Sequence, residues 1–414
     1  MMRYNDPRIS PIQEEEAGVA IFPSPMNPGR THTHRTVRNL PAEHRLVLAA
    51  AGAAGEGELP PPADEREILA HARRTGLSGI LAWRLLETRP AGFPIPSATL
   101  TATIARERKT LIARNLLLLE RLGEIALALD RAGTEWLVVK GPALLRYYPE
   151  PGTRSFGDLD ILVRPRDIPA AEASLAAHGY RFSACHHPRR HYIERHFHLP
   201  LARADDTRPT VELHWALDHP GGHSRFNVDR LFSRAVPASA GNVTFRTLSP
   251  EDTLLHLALH YALSELEPLR ILLDFHRASA GIPVGPSFIR EAGRVRLRRA
   301  FDFTRAAAQA VWGASVPDTP FPRIFGMNRN LLARLILQTE SPPERIWREW
   351  AKLSLCDSPV GRLRMLGRAL LAPPSRRHHR AGPESSPRRL LRLAQELLRN
   401  HPAGERPPLV EAPR

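Results

Sequence analysis

Between residues 134 and 217 the chain changes from helical to strand-like hydrophobic patterning, and this change restricts the folds that it can adopt. Helical patterns over residues 143–148 and 168–178 interrupt the strand-like runs. The runs occupy residues 136–139, 159–163, 180–184, 197–202 and 210–217. Short strands that alternate with helices within roughly 90 residues predict a small mixed sheet packed by helices, in an α+β fold.

On both sides of this predicted sheet, apolar residues recur at helical spacing. Gly133 is well placed to end a long helix, and Ser249-Pro250 is a helix start signal. The patterning divides the chain into a disordered N-terminal segment (1–45), a helical region (46–132), an α/β core (133–248), a helical C-terminal region (249–372) and a basic Pro- and Arg-rich tail (373–414).

Cysteine content and hydropathy argue against a disulfide-stabilised protein and against a membrane-spanning one. Cys185 and Cys356 are too few and too far apart for a disulfide framework. No apolar stretch reaches the roughly 18 residues of a membrane span, and the N-terminus lacks an apolar signal core. We therefore expect a cytoplasmic protein without a transmembrane segment.

The chain is strongly basic, with a net charge of +15. Such a charge attracts phosphate-bearing partners, or it reflects a generally Arg-rich composition, since it is spread along the chain. In the tail, an amphipathic helix predicted near residues 388–400 could make a weak contact with an anionic surface.

Two acids separated by one residue mark the start of the run at residues 159–163. Asp158 and Asp160 project from the same face, because strand side chains alternate. Like charges at this spacing repel, and a divalent cation between them relieves the repulsion. Carboxylate oxygens suit Mg²⁺ or Mn²⁺. The alternative is a solvent-exposed strand end, since short Asp-x-Asp sequences arise easily.

A phosphate-binding turn is predicted upstream of these acids. The first strand-like run ends in Lys140-Gly141, and a short helix follows. A glycine at a strand-to-helix turn lets backbone N–H groups approach a phosphate. Lys140, and Arg154 in the loop before the acids, would add positive charge for the phosphates of a nucleotide.

A third carboxylate is predicted from the run at residues 210–217. Glu212 and His214 share one strand face, because they alternate with apolar residues. If this strand neighbours the one that follows Asp158, three carboxylates could hold two metal ions for displacement at a nucleotide phosphate. Taken alone, Glu212 is an exposed strand residue and His214 an ordinary cross-strand partner.

Together these features resemble the uncharacterised nucleotidyltransferase family of the DNA polymerase β-type superfamily. The resemblance is close over residues 135–217, in a Lys-Gly strand turn, a loop arginine, Asp-Leu-Asp before an apolar run, a helix that ends in Gly-Tyr, and Glu-Leu-His-Trp. It implies a nucleotidyltransferase core in which Asp158, Asp160 and Glu212 bind the metal ions. Gly141 would lie in the nucleotide-binding turn.

The resemblance extends more loosely through the two helices that follow the core. Acids and histidines are frequent there in the related family, so His256, His260 and Asp274, with His214, are expected to shape an acceptor pocket. From spacing alone, His256 and His260 are partly buried structural histidines, and Asp274 forms an ion pair with Arg270 at i,i+4.

Histidines are concentrated in one further segment, residues 186–198, beside Cys185. The spacing matches no zinc motif. We predict a basic loop that leads into a strand, which could also face an acidic or phosphorylated acceptor.

The predicted function is transfer of a nucleoside monophosphate from an NTP to an unidentified acceptor, with Mg²⁺ or Mn²⁺. The acceptor could be a small molecule, a peptide, a protein side chain or RNA. One alternative is a non-catalytic member that binds a nucleotide or a partner; Pro142 favours it, because it follows Gly141 and donates no N–H to a phosphate. Another is a phosphotransferase that uses the same metal site.

Overall fold

The structure, a computed structural model of the chain, describes residues 40–52, 59, 64–89, 92–183, 187–206, 210–264, 269–313, 332, 336–337 and 354–363. The predicted tail and its amphipathic helix lie outside these residues, as do residues 1–39, Cys185 and His186. Residues 42–45, at the end of the predicted disordered segment, belong to the first described helix.

The N-terminal helices are α1 (Ala42–Ala50), α2 (Glu65–Thr75), α3 (Ser78–Trp83), which continues as a π-helical turn (Arg84–Thr88), and α4 (Ala98–Arg131). Capping defines their ends. Asp64 accepts hydrogen bonds from two backbone N–H groups at the start of α2, and Ser97 accepts one at the start of α4. The predicted helix end at Gly133 is confirmed, because this residue follows α4 with φ +63°.

The core contains α5 (Ile168–Ala177), α6 (Arg189–Arg195) and α7 (Val228–Arg234); after it come α8 (Pro250–Leu263), α9 (Leu269–Ser279), α10 (Pro286–Arg294) and α11 (Arg298–Trp312). The predicted start of α8 is confirmed: Ser249 caps it by accepting a hydrogen bond from the N–H of Asp252. Among the described helices, none combines the length and the apolar character that a membrane crossing requires.

The strands are β1 (Trp136–Val138), β2 (Leu159–Val163), β3 (Arg181–Phe182), β4 (His198–Ala202), β5 (Val211–His214), β6 (Val236–Ala240) and β7 (Val243–Thr247). In the described residues they form one sheet in the order β3-β4-β5-β2-β1-β7-β6. The pairs β1–β7 and β2–β5 are parallel and the others are antiparallel. The predicted α+β class with a mixed sheet is confirmed.

Alternation along β2 separates two apolar clusters. Leu159, Ile161 and Val163 pack in the core that α4 and α5 form with one face of the sheet. Leu162 points to the other face, where it joins a smaller cluster that includes residues of α7. Asp160 shares the face of Leu162, at the beginning of the strand, so the acids lie on the side of the sheet opposite α4 and α5.

The helical regions before and after the core share one continuous apolar core. It includes Ile68 and Leu81 from α2 and α3, Leu254 from α8, Leu272 from α9 and Phe301 from α11. The N-terminal helices therefore support α8 and α9, which in turn carry the histidines and the acid of the predicted acceptor pocket.

Two elements differ from the sequence predictions. The antiparallel hairpin of β6 and β7 was not predicted. The histidine-rich segment, predicted to be a basic loop, instead contains α6 before it enters β4, and Tyr192 of that helix is buried in the core below the sheet. Burial of this aromatic side chain gives a short polar helix the apolar anchor that its periodicity did not reveal.

Candidate active site

Asp160 and Glu212 are partners in the register of the parallel strands β2 and β5. Because strand side chains alternate, the two carboxylates lie side by side on the face opposite α4 and α5. Asp158 precedes β2 by one residue and is half-buried. Burial, followed by the negative charge of Asp160, raises the pKa of Asp158 to about 6, while Lys140 opposes the shift. The three acids thus lie within each other's electrostatic reach.

Lys140 lies among these carboxylates. It follows β1, which pairs with β2, and the N–H of Val139 donates a hydrogen bond to the carbonyl of Asp160. This pairing brings Lys140 Nζ to 2.8 Å from Asp160 Oδ1. Burial alone would lower the pKa of Lys140, but the charges of Asp160, Glu212 and Asp158 outweigh burial and raise it. The ammonium therefore stays charged and compensates part of the negative charge.

The two carboxylates on the strands are ionised at neutral pH. Burial would raise the pKa of Asp160, but Lys140 and a hydrogen bond from His214 hold it well below its ordinary value. For Glu212, the nearby His214, with the charges of His198 and Lys140, outweighs burial and lowers the pKa. The Glu212 side chain keeps 27% of its surface exposed, so it remains accessible to a ligand.

Gly141 packs closely on the loop that carries the acids. Its φ is +55°, and a Cβ at this position would lie 3.2 Å from the carbonyl oxygen of Asp158. The residue opens a 3₁₀ helix, Gly141–Tyr147, with Pro142 in its first turn. The short helix predicted over residues 143–148 is therefore a 3₁₀ helix that begins two residues earlier. Only glycine meets both constraints without strain.

Arg154 and Asp274 form a buried bidentate ion pair. Arg154 Nε donates to Asp274 Oδ1 at 2.7 Å and Nη2 donates to Oδ2 at 2.8 Å. Nη1 donates to the carbonyl of Gly141 at 3.2 Å, and Tyr148 Oη donates to Asp274 Oδ1 at 2.6 Å. All three guanidinium nitrogens of Arg154, which was predicted to contact phosphate, thus donate to protein oxygens. Asp274, which was predicted to lie in the acceptor pocket, binds Arg154 instead. The pair ties the Lys-Gly turn to α9.

The predicted i,i+4 ion pair between Arg270 and Asp274 is wrong. Arg154 occupies the carboxylate of Asp274, and Arg270 Nη1 instead donates to the carbonyl of Ser155 at 2.5 Å. Burial, followed by the charge of Arg154, lowers the pKa of Arg270, while its positive charge acts on Asp158. Arg270 is a cation beside the acids that the sequence reasoning missed, because helix spacing assigned it to a different partner.

Two histidines extend the row of polar side chains across the sheet. His214 is buried, and its Nε2 lies 3.0 Å from Asp160 Oδ1 and 3.3 Å from Glu212 Oε2. His198 is the register partner of His214 in β4, and its Nε2 lies 3.6 Å from Glu212 Oε1. Burial and the neighbouring His214 lower the pKa of His198 to about 4. Sequence reasoning placed His198 only in a basic segment.

His256 and His260 approach the same site from α8. Burial, followed by the charge of Lys140, lowers the pKa of His256 to about 3; a backbone hydrogen bond links the ring to Val139. Burial and Lys140 also lower the pKa of His260 well below its ordinary value. Both rings are therefore neutral at pH 7, and both lie within the electrostatic reach of Lys140.

The donor set suits a divalent cation. Three carboxylates meet around a single lysine, and carboxylate oxygens are the ligands that Mg²⁺ and Mn²⁺ prefer. Next to them, His198, Glu212 and His214 offer ligand atoms that all lie within 4.8 Å of one another. The sequence-predicted residues Asp158, Asp160, Glu212, Lys140, His214, His256 and His260 are thus gathered at one place, with Arg154 and Asp274 buried as a pair behind it.

Comparison with known proteins identifies the family. No curated protein matches the chain. A family model described as an uncharacterised nucleotidyltransferase matches residues 61–313, a span that includes α2 to α11 and the whole sheet. The family resemblance inferred from the sequence is confirmed. The chain belongs to this uncharacterised nucleotidyltransferase family.

Proposed function

We propose that the protein transfers a nucleoside monophosphate from an NTP to an acceptor, with Mg²⁺ or Mn²⁺ held by Asp158, Asp160 and Glu212. The observation that carries the proposal is the register of β2 and β5, which sets Asp160 beside Glu212 with Asp158 close by. Membership of a nucleotidyltransferase family supports the reaction class.

The residues around the acids have separable tasks. Asp158 and Asp160 hold the cation, and Glu212 either completes its ligands or accepts the proton of the acceptor. When bound, the cation stabilises negative charge on the triphosphate as pyrophosphate leaves. Lys140, whose ammonium stays charged, adds a point charge for the phosphates. Gly141 allows the turn to lie close to the carbonyl of Asp158, which keeps the turn and the acids in fixed relation.

The transfer is a displacement at the α-phosphorus. An acceptor oxygen forms a bond to this phosphorus while the bond to the bridging β-phosphate oxygen breaks, and its electron pair leaves with pyrophosphate. Where Glu212 does not ligate the cation, it accepts the proton of the acceptor hydroxyl, because it is ionised at neutral pH and partly exposed. The neutral rings of His256 and His260, together with His214, form the wall against which we place the acceptor.

One observation favours a second candidate, a non-catalytic binding protein. Lys140 Nζ is already 2.8 Å from Asp160, so the lysine itself balances the carboxylate. A lysine that kept this position would reduce the need for a cation and leave a nucleotide-binding or partner-binding module. Pro142, which contributes no N–H to the turn, points in the same direction.

Product analysis separates the candidates. Purified full-length protein is incubated with each NTP, with Mg²⁺ or Mn²⁺, and with panels of small molecules, peptides, proteins and RNA, beside Asp158→Asn. Our proposal expects acceptors that gain a nucleoside monophosphate, with release of pyrophosphate, only in the wild type. Acceptors that gain a single phosphate, with release of NDP, would identify a phosphotransferase, and nucleotide binding without any product would identify the binding module.

A further inference from the structure

Histidine nitrogens meet a carboxylate on the strands β4 and β5. His198 and His214 are register partners in the antiparallel pairing, and Glu212 lies two residues from His214 on the same face. Their Nε2 atoms lie 3.6 Å and 3.3 Å from the two oxygens of Glu212. These separations exceed those of a well-formed N–H···O hydrogen bond, about 2.7–3.2 Å.

We propose that His198, Glu212 and His214 form a binding site for a zinc-class transition-metal ion, which adjoins the proposed Mg²⁺ or Mn²⁺ site and shares Glu212 with it. Two ligands at about 2.0–2.1 Å from one tetrahedral ion lie roughly 3.3 Å apart. The separations between Glu212 and the two histidines are close to this value, and all three ligand atoms fall within 4.8 Å of one another. Imidazole nitrogen favours zinc-class ions over Mg²⁺.

Ring orientation supports convergence on one ion. The rings of His198 and His214 are tilted by 45° with centroids 4.8 Å apart. Once metal binding displaces the Nε2 proton that His214 donates to Asp160, the Nε2 lone pairs of the two rings can point to a common position. The Nδ1 atoms of both rings are buried without a hydrogen-bond partner among the described residues, so each ring interacts through Nε2. Asp160 Oδ1, at 3.0 Å from His214 Nε2, is placed to add a fourth ligand or to orient His214.

A second cluster in the described part of the chain provides a contrast. His44, Glu67 and His71 also gather ligand atoms within 4.8 Å. Their imidazole rings, however, are stacked almost parallel at 3.7 Å, so the in-plane lone pairs run side by side and do not converge. Arg74 also holds the carboxylate of Glu67 at 2.7 Å. The geometry therefore selects the cluster on the sheet.

Metal binding without nucleotide tests this site. Purified full-length protein, freed of metal with a chelator, is dialysed against Zn²⁺ or Co²⁺, and bound metal and the Co²⁺ absorption spectrum are recorded. We expect one equivalent of metal in the wild type and a loss of affinity of at least roughly 100-fold in His198→Gln and His214→Gln. His178→Gln, on an exposed histidine, and His71→Gln, in the stacked cluster, should bind as the wild type does.

Several results would overturn the site: no stoichiometric binding by the wild type, unchanged affinity in His198→Gln, or loss of the metal in His71→Gln instead. His198 is partly exposed, so its variant remains informative if His214→Gln fails to fold, and denaturant unfolding checks both. Asp158→Asn should keep the zinc-class ion while it loses nucleotidyl transfer. Failure of the proposed enzymatic function and failure of this site are thereby distinguishable.

Discussion

Asp160 and Glu212, which are 52 residues apart by number, lie directly opposite each other in the parallel pairing of β2 and β5. This register brings two ionised carboxylates together on one face of the sheet. Electrostatic repulsion between them has to be balanced, and Lys140 supplies part of the balance. A cation site at this face of the sheet requires these two acids to lie side by side.

Lys140→Met removes the cation that contacts Asp160. Since Asp160 is buried, the variant leaves an uncompensated charge, and we expect it to lose roughly 3 kcal/mol of unfolding free energy at pH 7. Mg²⁺ or Mn²⁺ should raise the unfolding midpoint of the variant more than that of the wild type. Denaturant unfolding with and without metal measures both effects, and Lys109→Met, on an exposed lysine, is the control. If metal raised the unfolding midpoints of Lys140→Met and the wild type equally, this result would contradict a cation site at these acids.

Gly141→Ala tests the close packing between the turn and the acid loop. Gly133→Ala is a matched control, because Gly133 also has a positive φ, +63°, but a Cβ added at this position would have no neighbouring atom within 4 Å. The control should lose about 1 kcal/mol of stability from backbone strain alone. Gly141→Ala should lose more and should also reduce nucleotidyl transfer at least about tenfold, because the added Cβ displaces Asp158. Equal activity in the two variants would count against this contact.

Asp274→Asn tests the buried pair that joins the Lys-Gly turn to α9. The variant leaves the Arg154 guanidinium buried without its anion, and we expect a loss of about 3–5 kcal/mol of unfolding free energy. Arg154→Met combined with Asp274→Leu should recover most of this loss. By contrast, Arg190→Met breaks an exposed i,i+4 pair with Glu194 and should cost no more than about 0.5 kcal/mol. Similar losses of unfolding free energy in Asp274→Asn and in the exposed-pair control would show that burial does not determine how much the Arg154–Asp274 pair stabilises the fold.

The raised pKa of Asp158 predicts a pH-dependent stability. The pKa of an aspartate in the unfolded chain is about 4, whereas the pKa of Asp158 in the folded chain is about 6. Between these values the folded state holds more protons, so the contribution of Asp158 to stability falls as pH rises and then stays constant. Asp158→Asn lacks this loss. Its unfolding free energy, relative to wild type, should therefore be higher at pH 7 than at pH 4 in metal-free buffer; an equal or lower value would contradict the shift.

Local patterning was sufficient to predict the strands that carry the acids. The period of two residues assigns Asp158 and Asp160 to one face and places Glu212 and His214 together. The pairing of β2 with β5 sets Glu212 beside Asp160, and Asp158, just before β2, lies within the electrostatic reach of Asp160. The sequence could not show that β2 and β5 are neighbours in the sheet, because strand order depends on tertiary packing. His198 entered the site for the same reason: its position beside His214 follows from the pairing of β4 with β5.

Long-range pairs were beyond the reach of spacing rules. Arg154 and Asp274 are 120 residues apart, whereas helix geometry offered Arg270 four residues away. The hairpin of β6 and β7 did carry a local signal that was missed: alternating residues flank the two-residue turn Gly241-Asn242, and Gly241 has φ +57°. The anchor of α6, the buried Tyr192, depends on the core below it and could not be read from its polar neighbours.

The most direct test of the central claim is NTP turnover by Asp160→Asn and Glu212→Gln, measured as pyrophosphate release with Mg²⁺ or Mn²⁺. Asp229→Asn, on an aspartate whose side chain is 74% exposed, is the matched control. We predict that the wild type and the control release pyrophosphate and that each site variant loses at least roughly 100-fold of the rate, while all remain folded. Undiminished release by either folded site variant would contradict the assignment of Asp160 and Glu212 to a shared metal site.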